Sequence, residues 1–101
     1  MPPGHERRAK PLEWLPRAWI SYCATLAHIA NEDLSAAQKV KDRVERSLTQ
    51  IAAFPDIGTP GLPRGARRFA IPNTGHVINY RVTRDAICIV LWYRARQQKR
   101  L

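Results

Sequence analysis

The chain has 101 residues, 17 basic against 8 acidic side chains, a formal charge of +9, and 45% apolar residues. That is enough chain for one small core, and the apolar share argues against disorder. No apolar run approaches the ~20 residues that cross a bilayer. Met1 to Lys10 has no apolar stretch behind its charges and reads as a flexible tail, not a secretory leader, leaving 11–101 as a single domain.

Leu12 to Leu15 alternates as a short strand and is closed by Pro16. Trp19, Tyr22, Cys23, Leu26, Ile29 and Ala30 then recur at helical spacing and predict a first helix, broken by Asn31, Glu32 and Asp33. Ser35 with Gln38 has the pattern of a capping box for a second helix. Its stripe is Ala37, Val40, Val44, Leu48, Ile51 and Ala52, with Asp42 and Arg46 spaced for an ion pair; Pro55 stops it at Phe54. So short a connection predicts an antiparallel helical hairpin.

Asp56 to Gly65, with its glycines and prolines, reads as loop. Three strands are expected after it: Ala66–Ile71, ended by Pro72 and the Asn73-Thr74-Gly75 turn; His76–Val82; and Ile87–Tyr93. Ile78, Tyr80 and Val82 share one face of the second, and Val77, Asn79 and Arg81 the other. The third is apolar almost throughout, as in an interior strand covered on both faces. Arg94 to Leu101 is basic and reads as a last helical turn or a loose end. The expected fold class is α+β, a β-α-α-β-β-β order with the helical hairpin packed on a small antiparallel sheet.

Charge is divided unevenly. From Gly61 onward nine Lys and Arg face only Asp85, whereas residues 1–60 are nearly neutral. A surface of that sign is expected to meet a negative partner. Arg81, Arg94 and Arg96 are expected to form one basic patch with Arg67 or Arg68 at its edge.

Groups for proton transfer are few. His28 reads as a surface or partly buried histidine beside the apolar stripe of the first helix. His76, Tyr80 and Tyr93 are weak catalytic candidates, the tyrosines only if arginines lower their pKa values strongly. Their alternative is packing, with the hydroxyls at the rim of the core. Glu32 and Asp33 have no third partner for a metal, the glycines do not make a phosphate loop, and no cofactor is implied. Cys23 and Cys88 lack metal or redox spacing and read as buried thiols in a reducing cytoplasm, a disulfide remaining open.

Several segments in order carry a resemblance over Pro11 to Arg96. They are Trp14 with Ala18; Tyr22 and Ile29; Ala36-Ala37; "FPDIG" (Phe54 to Gly58); "GARRF" (Gly65 to Phe69); "INYRV" (Ile78 to Val82); and "VLWYRAR" (Val90 to Arg96). The chain resembles the RelE/ParE superfamily of toxins from bacterial type II toxin–antitoxin systems. "NYRV" and "YRAR" look more like the ParE branch, although Tyr93 replaces a histidine of its usual ending, and Arg68 stands where ParE-like sequences commonly have Glu.

The resemblance implies a toxin that acts by binding DNA gyrase, neutralised by a cognate antitoxin with an acidic C-terminal segment in a toxin–antitoxin hetero-oligomer. The alternative is a RelE-like, ribosome-dependent mRNA endoribonuclease. In that branch an arginine usually addresses the scissile phosphate where this chain has Val77. A plain nucleic-acid-binding module would need exposed aromatics among the cations, and Trp14, Trp19 and Trp92 all fall where a core is expected.

Overall fold

The structure, a computed structural model, describes residues 10–95. The reading of Met1 to Lys10 as a tail, Arg96, and the end beyond it lie outside that span, apart from Lys10. Strand β1 (Leu12–Trp14) leads into helices α1 (Pro16–Glu32) and α2 (Leu34–Ala53). A 3-10 turn (Pro55–Ile57) and the strands β2 (Thr59–Pro60), β3 (Arg67–Ala70), β4 (His76–Val82) and β5 (Ile87–Arg94) follow. Two helices pack on one face of a five-stranded sheet, so the α+β class holds.

The sheet order is β1-β5-β4-β3-β2. Its last four strands are antiparallel, but β1 runs parallel to β5, pairing Leu12 with Ile87 and Trp14 with Ile89. The sheet is therefore mixed where an antiparallel one was expected. The helical hairpin between β1 and the rest is long enough for a crossover, which lets β1 enter parallel. The expected loop also contributes β2, two residues on the edge of β3.

Pro16 opens α1 at a position where its missing N–H is not needed. The hairpin turns on Asp33 alone. Its backbone N–H donates to Ile29 O at 2.8 Å, closing α1, while its Oδ1 accepts from Ala36 N at 3.0 Å, capping α2. This replaces the expected Ser35–Gln38 box. Gln38 instead donates to Asp42 Oδ1 at 3.0 Å, and the ion pair along α2 is Lys41–Glu45, not Asp42–Arg46.

The core gathers Ala18 and Tyr22 from α1, Val40, Val44 and Ile51 from α2, and Ile78, Tyr80, Ile87, Ile89 and Trp92 from the sheet. Tyr22 is its aromatic hub, stacked on Trp14 at 5.0 Å and edge-on to Trp92 at 4.8 Å. Trp19, expected inside, rests edge-on against Trp14 at 5.4 Å yet stays 48% exposed. Cys23 is exposed on α1, contrary to the expected burial, and Cys88 is half-buried on the sheet face away from the helices; both are free thiols.

β4 and β5 do not pair in a simple register. Asn79 faces Leu91 but Tyr80 faces Ile89, so Val90 is an extra residue, a β-bulge. Without it, alternation from Ile87 would send Leu91 and Tyr93 toward the helices. With it, Trp92 joins the core and Arg94 emerges on the helix side opposite His76, while Tyr93 faces away.

Ile89 lies under this arrangement, fully buried between Trp14 and Tyr80. Replacing it with alanine is expected to lower stability by about 2–5 kcal/mol, measured by urea denaturation. An exposed-strand control, Val82→Ala, should change it by less than about 1 kcal/mol.

Candidate functional site

β4 is the middle strand and sorts the candidate residues by face. His76, Ile78 and Tyr80 look toward the helices; Val77, Asn79 and Arg81 look to the open side.

Tyr80 is fully buried, and both capacities of its hydroxyl are used. It donates to Pro55 O at 2.7 Å and accepts from Gly58 N at 3.0 Å, tying the 3-10 turn to the sheet. Gly58 is required there by space: a Cβ would stand 2.8 Å from Arg68 O and 2.9 Å from the Tyr80 hydroxyl. Burial raises the Tyr80 pKa, outweighing the Gly58 N–H and the nearby Arg67 charge, which lower it. The lowered value that proton transfer needs is not what this environment produces.

Arg67 has the same structural task. It shares the helix-side face with Tyr80, and its Nη1 donates to Gly58 O at 2.8 Å and to Asp56 O at 3.3 Å. A long contact to Asp56 Oδ1, 3.7 Å, adds little because that carboxylate is 91% exposed.

The open face carries a polar chain through Asn79. Tyr93 donates its hydroxyl proton to Asn79 Oδ1 at 2.9 Å, and Asn79 Nδ2 donates to Leu62 O in the loop folded over the strand. Asn79 was missed as a site residue, although a buried amide in the middle of an apolar strand is a usable signal. Val77 lies directly across from Tyr93. Arg68 lies across from Asn79, and Arg81, on the same face, donates from Nη2 to Arg64 O at 3.3 Å.

The expected single basic patch is thus divided. Arg68 and Arg81 share the open face beside Arg64. Arg67 is turned to the helix side, and Arg94 sits at the far end of β5 opposite His76. Arg96 lies outside the described residues. Strand alternation plus the bulge, which sequence spacing did not show, separates Arg81 from Arg94.

The remaining candidate, His76, is buried at the start of β4. Its ring stacks on Trp92 with centroids 4.8 Å apart and planes 7° from parallel. Nδ1 stands 3.1 Å from Thr74 O; since a carbonyl only accepts, Nδ1 carries the proton and Nε2 is the basic nitrogen when the ring is neutral. Trp92 in turn donates from Nε1 to Thr25 Oγ1 at 2.9 Å. These groups border a cavity of about 410 Å³ between α1 and the end of β5, also lined by Ser21, His28 and Arg94. Burial lowers the His76 pKa; the Thr74 carbonyl opposes this, and the Arg94 charge lowers it further. Among the described residues no cluster of three or more His, Cys, Asp or Glu side chains could hold a metal ion, and no helix is long and apolar enough to cross a membrane.

Tyr80→Phe keeps the ring but leaves Gly58 N and Pro55 O without their partner, and is expected to cost about 1–3 kcal/mol in chemical denaturation. His76 gives a pH signature. An unfolded histidine protonates near ~6.5, and the folded ring only at lower pH, so below that point the unfolded state binds more protons. Stability is then complete above about pH 6.5 and falls as pH drops through the shifted value. His76→Asn, which can still donate to Thr74 O, should flatten the loss in a pH series of melting temperatures.

The family model described as the ParE toxin of the type II toxin–antitoxin system parDE matches residues 12–98. A Sinorhizobium fredii protein described as a candidate toxin, Y4kP, is 26% identical over 88 residues, 87% of this chain and 92% of that one. Among solved structures, a chain of the chromosomal ParDE toxin–antitoxin system of P. aeruginosa superposes with a TM-score of 0.76 at 18% identity, over 87% of this chain and 98% of that chain. The isolated E. coli RelE toxin gives 0.63 at 16%, over 90% and 89% of the two chains. At that identity the two superpositions speak for the fold. The family match spans β1 to the end of β5, and with it this chain belongs to the ParE toxins of type II toxin–antitoxin systems, within the RelE/ParE superfamily.

Proposed function

We propose that this toxin arrests growth by binding DNA gyrase without bond-breaking chemistry of its own, and that in the cytoplasm a cognate antitoxin with an acidic C-terminal segment silences it. The observation that carries the binding-only reading is the occupied centre of the open face. There Val77 stands across from Tyr93, and the Tyr93 hydroxyl is committed to Asn79. Metal-independent RNA cleavage needs a base, an acid and a cation around one phosphate. Val77 supplies none of them, and Tyr80 is held by two backbone bonds on the other side of the sheet. The choice of gyrase as the target rests on the resemblance to the ParE branch.

Arg64, Arg68 and Arg81 remain as a cationic edge to the open face. Such an edge speeds encounter with an acidic partner and selects its orientation more than it adds affinity. An antitoxin segment that orders on docking must offset its lost freedom by contacts, which the charged edge and the apolar flank of the hairpin can supply.

Purified toxin is expected to inhibit supercoiling by gyrase and to leave mRNA intact on programmed ribosomes. The double variant Arg68→Ala, Arg81→Ala should weaken inhibition or antitoxin binding by about tenfold or more, ~1.4 kcal/mol. Cleavage of message in the ribosomal A site by the toxin alone would overturn the reading in favour of a RelE-like endoribonuclease.

A further inference from the structure

The cavity between α1 and the end of β5 is not part of the open face, and the proposed function leaves it without a task. Among the described residues its lining includes one permanent cation, Arg94, two imidazoles, His28 and His76, and the hydroxyls of Ser21 and Thr25, and no carboxylate. Its floor is the indole of Trp92, fixed by the Thr25 bond on one side and the His76 stack on the other. With Nδ1 turned to Thr74 O, the second nitrogen of His76 is the one left for a ligand. The α1 surface beside the cavity is exposed and uncharged through Ile20, Cys23, Ala24 and Ala27.

We propose that this cavity receives a single carboxylate from an acidic, partly apolar peptide segment that lies along α1, with Arg94, His28 and His76 as the receiving groups. The inference rests on the reading of the chain as an antitoxin-controlled toxin and names where one acidic anchor of that antitoxin seats. The charge pattern selects the ligand. A nucleic-acid backbone presents phosphates in series and is met by several fixed cations, whereas the described lining has one. A concave site with an aromatic floor beside an uncharged helix face suits alternating acidic and apolar side chains. Arg94 gives the geometry for a two-point contact to a carboxylate.

Charge also fixes the pH dependence. His76 is surrounded by Arg94 and Trp92 of β5, His28 of α1 and the Thr74 carbonyl, with no acid among the described lining residues. Burial and Arg94 disfavour its imidazolium in the free protein. A carboxylate entering the cavity reverses that balance, so binding takes up a proton and tightens as pH falls.

The test follows the ring nitrogens of the histidines and the Trp92 indole N–H by NMR in the full chain. The probe is a blocked amphipathic peptide with Glu and Leu at helical spacing; its Gln counterpart and inorganic phosphate are run in parallel. The Glu peptide is expected to shift Trp92 and His76 and to bind at least about fivefold more tightly near pH ~5.5 than near ~7.5. The Gln peptide, and an Arg94→Gln protein with unchanged melting temperature, should each lose about tenfold or more. His76→Asn, which can still donate to Thr74 O, should reduce the pH dependence of binding.

Absence of Glu-peptide binding at both pH values would overturn the proposal. So would equal binding of the Gln peptide, shifts confined to the Arg64–Arg81 region, or an unaffected Arg94→Gln variant. Phosphate saturating the Trp92 and His76 signals where the peptide does not would make the cavity a phosphate site, and the peptide assignment would fall. Growth arrest and gyrase inhibition are read separately, so failure of the toxin reading is distinguishable from failure of this site.

Discussion

The extra residue at Val90 is the constraint on which the molecule's division of labour depends. A strand alternates without exception unless a residue is inserted, and this one changes face between Ile89 and Trp92. Before the bulge, Ile87 and Ile89 line the floor beneath Tyr22 and Trp14. After it, Trp92 continues that floor, and the two polar residues that follow are exchanged between faces. Tyr93 comes to Asn79 on the open side, and Arg94 comes to His76 on the helix side. An unbulged β5 would bury the wrong residue of each neighbouring pair and send the Arg94 guanidinium to the other surface.

Two stations result, joined by one rigid floor. Near the Gly61 to Gly65 loop the sheet displays guanidinium groups while its central polar chain is closed on itself through Tyr93, Asn79 and Leu62. At the other end, Trp92 and His76 form a planar stack under a recess that opens beside α1. Trp92 belongs to both the core cluster and the recess, so what docks there presses on the same indole that Tyr22 packs against. Toxin and core are not separable layers in so small a domain.

Much of the fold was legible because strong local signals agreed with one another. The α2 stripe from Ala37 to Ile51, the stop at Pro55, the Asn73 to Gly75 turn and the bounds of β4 all follow from spacing and turn chemistry, and Asn73 and Gly75 do have positive φ. Where the reading failed, the deciding contact was long-range or two local options competed. Asp33 and Ser35 both offer a helix cap, and only the chain path out of α1 selects Asp33. The parallel entry of β1 depends on the length of the crossover, not on Leu12 to Trp14 themselves. Trp19 has helical spacing but falls at the mouth of the core, where Trp14 covers one side of it. The site was less legible than the fold. Arg67 and Arg68 look alike in sequence, yet one ties the 3-10 turn to the sheet and the other faces solvent, and the packing role favoured for Tyr80 gains its partners only when Pro55 and Gly58 are placed beside it.

The single-residue hinge at Asp33 has a consequence for how this architecture can vary. Because the same residue closes α1 with its backbone and opens α2 with its side chain, the rotational phase between the helices is fixed by one link. Adding a residue there would turn α2 by about 100° about its axis, swinging Val40 and Val44 out of contact and bringing Lys39 and Arg43 inward. Length changes compatible with this body must therefore accumulate elsewhere, in segments such as the Gly61 to Gly65 arch, whose backbone is not geared to a helix.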